Sequence, residues 1–269
     1  MVKKSLVSGS SLLKLENVYI TVSDLYKNYD LVKDRNARVY TSKGFANVVE
    51  VAQPKLHDCY VIENPLGNRL IVGEPIESFR FDGENFKQPE GAELDNIGYL
   101  SGYCSTWNNF HDLGTYQSIL VQKNLCKSFA QVLDTLGIEY EFDYKLNDVA
   151  GSFFFSYAFK DWKVVFGESE IYRMSFLSGC LASCQMKLST DSNIVFDTLF
   201  MIQRVAATLS TVVQKQLGRV TVVSPQNPIY SEVNDVQSQQ LYLDKLYEVS
   251  LDVEDDSELW IDGFFVKKK

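Results

Sequence analysis

Histidine is scarce in this chain, and its cysteines do not have the spacing of a metal site or a redox motif. The only two imidazoles are His57 and His111, and neither stands beside a nucleophile and an orienting group in the sequence. The five cysteines are odd in number and form no CxxC pair, and Cys180 and Cys184 lie four apart with no histidine near them. We therefore expect no metal site, no cofactor, and reduced, buried thiols.

Long apolar runs are missing as well. No stretch reaches about eighteen consecutive apolar residues, the length that a membrane helix needs. The first four residues lead into the polar residues 8–11 rather than into an apolar signal core. We therefore expect no membrane partner, and a protein that stays in the cytoplasm, where it is made.

Positive charge is in deficit. The chain carries 35 acidic and 26 basic side chains, for a formal net charge of -9. Affinity for a phosphate backbone comes from Lys and Arg that displace counterions, so this balance argues against a protein whose main task is to grip nucleic acid. The deficit lies mostly near the C-terminus, where residues 252–258 form an acidic run. That run is typical of a solvated loop, and the alternative is a docking surface for a basic partner.

The head of the chain has a β pattern. In residues 1–90, short β-branched or aromatic runs alternate with turn signals. Residues 64–68, Asn-Pro-Leu-Gly-Asn, predict a hairpin loop. Ser23 is predicted to cap a short helix, and residues 82–91 are typical of a linker.

From Leu94 onward the apolar pattern becomes helical and then repeats. Apolar residues at helical spacing around Gly102 recur around Gly179, 77 positions later. Another predicted helix follows each of these two segments, and the one after the Gly102 segment ends at Gly137. These two following helices are predicted at residues 125–136 and 194–213. Strands are predicted at residues 140–144 and 152–159. We interpret the pattern as an internal repeat.

The tail returns to a β pattern after Pro228. Residues 247–251 and 259–261 predict strands, and Asp262-Gly263 is a strong hairpin dipeptide. A β-rich head and a β-rich tail thus flank a repeated insert with helices and strands.

Two repeated segments carry a family resemblance. Residues 99–104, Tyr-Leu-Ser-Gly-Tyr-Cys, and residues 176–181, Phe-Leu-Ser-Gly-Cys-Leu, resemble the two LAGLIDADG helices of a homing endonuclease. In that family the two helices pack against each other through small residues, because close helix approach needs small side chains. The resemblance assigns this packing role to Ser101, Gly102, Ser178 and Gly179. Two unrelated amphipathic helices are the alternative interpretation.

The flanking segments resemble an intein. Residues 8–13 and 22–26 look like its opening turn, strand and short helix, and residues 247–249 and 259–266 are similar to its last two strands. The resemblance implies an α/β (α+β) fold. In that fold residues 1–90 and 226–269 form a β-rich Hint-like splicing domain, and residues 91–225 form an inserted pseudo-twofold LAGLIDADG-like domain.

The residues that protein splicing needs are missing. Splicing needs a first-position Cys or Ser, an internal histidine, and a terminal His-Asn pair followed by a nucleophile. The resemblance places Leu6 at the first position, with Ser5 one register away, and Ile76 at the histidine. The residues after Val266, where the terminal group belongs, are Lys267, Lys268 and Lys269. We therefore expect no splicing.

The residues that DNA cleavage needs are missing too. LAGLIDADG endonucleases hold divalent metal ions with an acidic residue at the foot of each helix. The resemblance places Trp107 and Cys184 at these two positions, and neither binds Mg²⁺. The nearest carboxylates, Asp112 and Asp191, would serve only after a register shift. An active homing endonuclease is therefore the least favoured hypothesis.

By elimination, the sequence predicts a binding or scaffolding role. We expect a catalytically inactive subunit, with no small-molecule substrate, that docks onto a larger protein or nucleoprotein assembly, for example that of a phage in its host's cytoplasm.

The second hypothesis is a sequence-specific DNA-binding protein that keeps the endonuclease's saddle-shaped sheet without its nuclease. The insert carries 13 acidic and 10 basic side chains, so its charge supports this hypothesis only weakly. A clustered basic face would favour DNA binding, and scattered lysines would favour protein docking. The candidate DNA-binding residues are Lys123, Lys145, Lys160, Lys163, Lys187 and Lys215.

Overall fold

The structure, a computed structural model, has a mixed α and β fold. It describes residues 1–16, 18–33, 37–63, 69–74, 76–81, 94–106, 116–146, 150–158, 162–187, 196–216, 219–223, 230–232, 239–254 and 256–268. The strands are β1 Val2–Ser8, β2 Leu12–Lys14, β3 Tyr19–Thr21, β4 Arg38–Thr41, β5 Gly44–Val51, β6 Lys55–Glu63, β7 Arg69–Val72, β8 Ile76–Phe81, β9 Tyr116–Gln122, β10 Tyr140–Leu146, β11 Ala150–Ser156, β12 Val212–Gln216, β13 Arg219–Val223, β14 Tyr230–Glu232, β15 Gln239–Asp252, β16 Leu259–Ile261 and β17 Phe264–Lys268. The helices are α1 Val22–Lys27, α2 Tyr29–Lys33, α3 Asn96–Ser105, α4 Cys126–Thr135, α5 Glu170–Lys187 and α6 Phe196–Thr208, with 3-10 helices at Lys123–Leu125 and Trp162–Gly167. The predicted mixture of helices and strands is confirmed, whereas the Hint and LAGLIDADG architectures stay predictions.

The chain divides into two compact units. Unit 1 consists of residues 1–87, 206–214 and 222–269, and unit 2 consists of residues 88–205 and 215–221. Both ends of the chain therefore belong to unit 1.

Unit 1 is built on a ten-stranded antiparallel sheet. The strand order is β1-β7-β6-β15-β5-β4-β16-β17-β8-β14, and β1 also pairs with β15. Because β1 contacts β15 from Val2 to Ser8 and β7 at Val7, the strands β1, β7, β6 and β15 close a four-stranded ring. The core of the unit is apolar and is contributed by both ends of the chain. It includes Val7, Leu13, Val22, Leu25, Val39, Leu70, Val249, Leu251, Ile261 and Phe264.

Two predicted hairpins in unit 1 have the expected strand pairing. Asp262 and Gly263 have φ values of 50° and 95°, the left-handed conformations that a two-residue hairpin requires, and they join β16 to β17. The strands β6 and β7 pair as the predicted hairpin, from Tyr60↔Val72 onward. The loop of that hairpin, residues 64–68, lies outside the described residues.

The predicted cap of the first helix was wrong by two residues. Thr21, not Ser23, is the N-cap of α1, and its hydroxyl accepts a hydrogen bond from the Asp24 N–H at 3.2 Å. The Thr21 hydroxyl also contacts the Asp24 carboxylate at 2.6 Å. Asp24 thus favours a helix that begins after Thr21 rather than after Ser23, because Asp24 joins the cap to the first turn of the helix.

Unit 2 contains a three-stranded antiparallel sheet with the order β10-β11-β9. The predicted strands near 140–144 and 152–159 are confirmed as β10 and β11, and the predicted helix at 125–136 is confirmed as α4. Gly137, just after α4, has a φ of 65°, as expected of a helix stop. The core packs α3 and α4 against this sheet through Leu100, Tyr103, Cys104, Ile119, Val121, Phe129, Leu133, Phe153 and Phe155.

The predicted helix at 194–213 was too long. The helix α6 ends at Thr208 because Ser210 adopts a φ of 50°. The Ser210 N–H bonds to the Ala207 carbonyl at 3.1 Å, and the Thr211 N–H bonds to the Ala206 carbonyl at 3.0 Å. This is the hydrogen-bond pattern of a Schellman stop, and β12 follows it.

Candidate functional site

In unit 2, the helices α3 and α5 cross in direct backbone contact at two glycines. A Cβ added to Gly102 would lie 1.9 Å from the carbonyl oxygen of Phe176, and one added to Gly179 would lie 2.0 Å from that of Tyr99. Real Cβ atoms essentially never approach another heavy atom within 3.0 Å. Only glycine therefore fits at these two positions, unless the helices separate.

The crossing follows the sequence repeat. Gly102 contacts Phe176, and Gly179 contacts Tyr99. Gly102 and Gly179 are 77 positions apart, and so are Tyr99 and Phe176. The Cys180 thiol also donates to the Gly102 carbonyl at 3.3 Å. The two repeats therefore meet with local twofold pseudosymmetry.

The two serines predicted to pack between the helices have different contacts. The Tyr172 hydroxyl donates to the Ser101 hydroxyl across the crossing, at 3.4 Å. Ser178 instead donates to the Met174 carbonyl of its own helix, at 3.0 Å. Ser101 thus lies in the contact between α3 and α5, whereas the hydroxyl of Ser178 satisfies its own helix backbone.

At the foot of the second helix, the position assigned to a metal-binding acid is a buried thiol. Cys184 is 1% exposed and lies within α5. Trp107, Asp112 and Asp191 lie outside the described residues. Within the described ranges, no group of three or more His, Cys, Asp or Glu side chains is arranged to hold a metal ion.

Two of the rows of cross-strand neighbours on the outer face of the sheet in unit 2 contain carboxylates. Strand register places Glu141, Phe154 and Ser118 in one row and Asp143, Ser152 and Leu120 in the next. The alternate residues Ile119, Phe153 and Phe155 are buried on the inner face. These two rows thus contain two carboxylates and no basic residue.

Two of the six candidate DNA-binding lysines have described side chains. Lys123 and Lys163 are exposed, and each lies in a different 3-10 helix. Lys160 and the side chains of the other three, Lys145, Lys187 and Lys215, fall outside what the structure describes. The prediction of a lysine-lined DNA site therefore stays a prediction.

In unit 1, the structure brings together two of the positions that the resemblance assigns to splicing. Leu6 on β1 and Ile76 on β8 line one cleft although they are far apart in sequence, and Val266 on β17, which precedes the two terminal positions, also lines it. Further apolar side chains form most of the wall of this cleft, which we call the unit 1 cleft. They are Val72, Leu251, Val253, Leu259 and Ile261.

The polar residues of the unit 1 cleft hold its walls together. The Leu6 N–H donates to the Glu74 carboxylate at 2.8 Å, and the Lys3 ammonium donates to the Ser257 carbonyl at 2.7 Å. Ser5 also lines the cleft and is 5% exposed. Sequence reasoning missed Lys3, Glu74 and Ser257, because the contacts join segments that are distant along the chain.

Replacing Glu74 tests whether its carboxylate ties β1 to the turn after β7. We expect Glu74→Ala to lower the free energy of unfolding by about 1–3 kcal/mol, because the Leu6 N–H loses its acceptor. Glu74→Gln keeps an acceptor oxygen and should cost less. Urea denaturation of both variants measures the difference, and equal losses would show that the hydrogen bond to Leu6 is not what matters.

The lysines at the end of the chain belong to a strand. Lys267 and Lys268 are the last residues of β17, with Lys268 opposite Ile76 and Lys267 opposite Ser78 on β8. Lys267 is exposed, and Lys269 lies outside the described residues. The two positions assigned to the terminal His-Asn pair thus lie on a strand that pairs with β8, with a shift of register between Lys267 and Lys268.

The histidine that the structure describes does not line the unit 1 cleft. His57 is exposed on β6, opposite Asp244 on β15, and it is not among the residues that line the cleft. His111 lies outside the described residues. No imidazole among the described residues therefore serves as a base in this cleft.

All five cysteines are buried, and none of them forms a disulfide. Burial raises the pKa of Cys59 to about 11, from an ordinary value of 9.0, and the charges of Asp244 and Asp58 add to this effect. Burial also raises the pKa of Cys104 and Cys180 well above that value. These are the surroundings of structural thiols rather than reactive ones.

The burial of the thiols predicts slow chemical modification. A pKa rise from 9.0 to about 11 lowers the thiolate fraction near pH 8 about a hundredfold. We therefore expect Ellman's reagent to modify the native protein at least about a hundredfold more slowly than the urea-denatured chain. A cysteine that reacts rapidly in the native protein would contradict this assignment.

No protein-family model matches the chain, and a search of curated proteins gives no match either. Over the described ranges, no helix combines the length and the apolar character needed to cross a membrane. What the protein does is therefore inferred from its two units.

Proposed function

We propose that this protein is a catalytically inactive relative of inteins that carry a LAGLIDADG homing endonuclease, and that it acts as a binding or structural subunit of a larger protein or nucleoprotein assembly. In this proposal unit 1 corresponds to the splicing domain and unit 2 to the endonuclease domain. Neither unit performs the chemistry of its family.

The unit 1 cleft carries this proposal. Leu6 and Ile76 meet there, together with Val266, the residue before the terminal positions. By the resemblance, splicing would need a nucleophile in place of Leu6 and a histidine in place of Ile76. Aliphatic side chains neither attack a carbonyl nor transfer a proton. The Glu74 carboxylate is bonded to the Leu6 N–H, so it supports the backbone at the position where splicing would break it.

The helix pair supports the second half of the proposal. The contacts of Gly102 and Gly179 give the close, pseudosymmetric crossing that the resemblance to LAGLIDADG helices implies. The buried thiol of Cys184 stands where a carboxylate would hold a metal ion, and cleavage of a phosphodiester in this family depends on that ion.

A binding role follows from what the chain retains. Both units keep well-buried cores, and a folded chain without catalytic groups acts through its surface. The net charge of -9 and the carboxylates Glu141 and Asp143 on the outer sheet face favour a protein partner over a DNA duplex.

The absence of both activities is tested with the full chain. We expect its intact mass to stay unchanged during long incubation with a thiol reductant, which releases intein-type thioesters. We expect no nicking of plasmid DNA with Mg²⁺ or Mn²⁺, because no carboxylate stands at position 107 or 184.

Three substitutions make these negative results informative. Ser5→Ala removes the one hydroxyl of β1 that lines the unit 1 cleft. If the mass of the unmodified chain changes and Ser5→Ala abolishes this change, Ser5 performs splicing chemistry. If the plasmid is nicked, and if Asp112→Asn and Asp191→Asn abolish this nicking, these two carboxylates replace the missing acids. Either result would contradict the proposal.

A further inference from the structure

We draw no further inference here: the strongest candidate, the apolar unit 1 cleft lined by Leu6, Ile76 and Val266, belongs to the site already described, and nothing in the structure shows what covers it.

Discussion

Gly102→Ala is expected to lower the free energy of unfolding of unit 2 by about 3 kcal/mol or more, a large effect for a single methyl group. The new Cβ would lie 1.9 Å from the Phe176 carbonyl oxygen and 2.7 Å from its carbonyl carbon. These are backbone atoms, so the clash is not relieved by a change of rotamer. The helices α3 and α5 would have to separate, and the contacts along the whole crossing would weaken.

Urea denaturation followed by circular dichroism measures this loss. Gly179→Ala should have a similar effect, because its Cβ would lie 2.0 Å from the Tyr99 carbonyl oxygen. Gly167→Ala is the matched control in the same unit, since no heavy atom lies within 4 Å of its added Cβ, and it should change the stability by less than about 0.5 kcal/mol. If Gly102→Ala were as mild as this control, the helices would not cross at the glycines.

Trp260→Ala is expected to lower the free energy of unfolding of unit 1 by about 3–5 kcal/mol. Trp260 lies on β16 and is 2% exposed, and its ring contacts that of Tyr19 at a centroid distance of 5.6 Å. The substitution would leave a large cavity where the head and the tail of the chain meet.

Thermal and urea denaturation of the full chain test this expectation. Val49→Ala is the control, because Val49 lies on β5 of the same sheet and is 44% exposed. This substitution should lower the free energy of unfolding by less than about 0.5 kcal/mol. A small effect of Trp260→Ala would mean that the tail contributes little to unit 1. The proposed splicing-type domain, which needs both ends of the chain, would then lose its support.

Local and repeated signals were the part of the fold that the sequence could predict. The small residues around Gly102 and Gly179 recur at a fixed offset, so the repeat indicated a helix pair before any contact was known. Asp262-Gly263 also specified its own hairpin, because few dipeptides adopt two successive left-handed conformations. Such signals lie within a few residues of the feature that they determine.

Contacts between distant segments could not be predicted in the same way. Glu74 bonds to Leu6 across 68 positions, and nothing in either local sequence indicates the other partner. The end of α6 was missed for a different reason. Ser210 adopts a left-handed conformation that serine has little intrinsic preference for, and the helical apolar pattern continues past it.

The positions assigned to catalysis came from the resemblance rather than from the residues themselves. Leu6 and Ile76 have no chemical property that would mark them, and only an alignment to the intein pattern singles them out. Their convergence on the unit 1 cleft is a geometric result that their spacing in the chain did not imply. The two metal-binding positions of the nuclease differ in this respect, since Cys184 is described while Trp107 is not.

The most direct test of a non-catalytic binding role is affinity capture of the full, tagged chain from its native source at near-physiological salt. The capture is repeated after nuclease treatment, and the retained molecules are identified by mass spectrometry. Gly167→Ala serves as a folded control bait and Gly102→Ala as a bait with a disrupted unit 2. We expect protein partners in fixed stoichiometry that survive the nuclease. Recovery of nucleic acid alone, lost on nuclease treatment, would contradict the account and favour a DNA-binding protein.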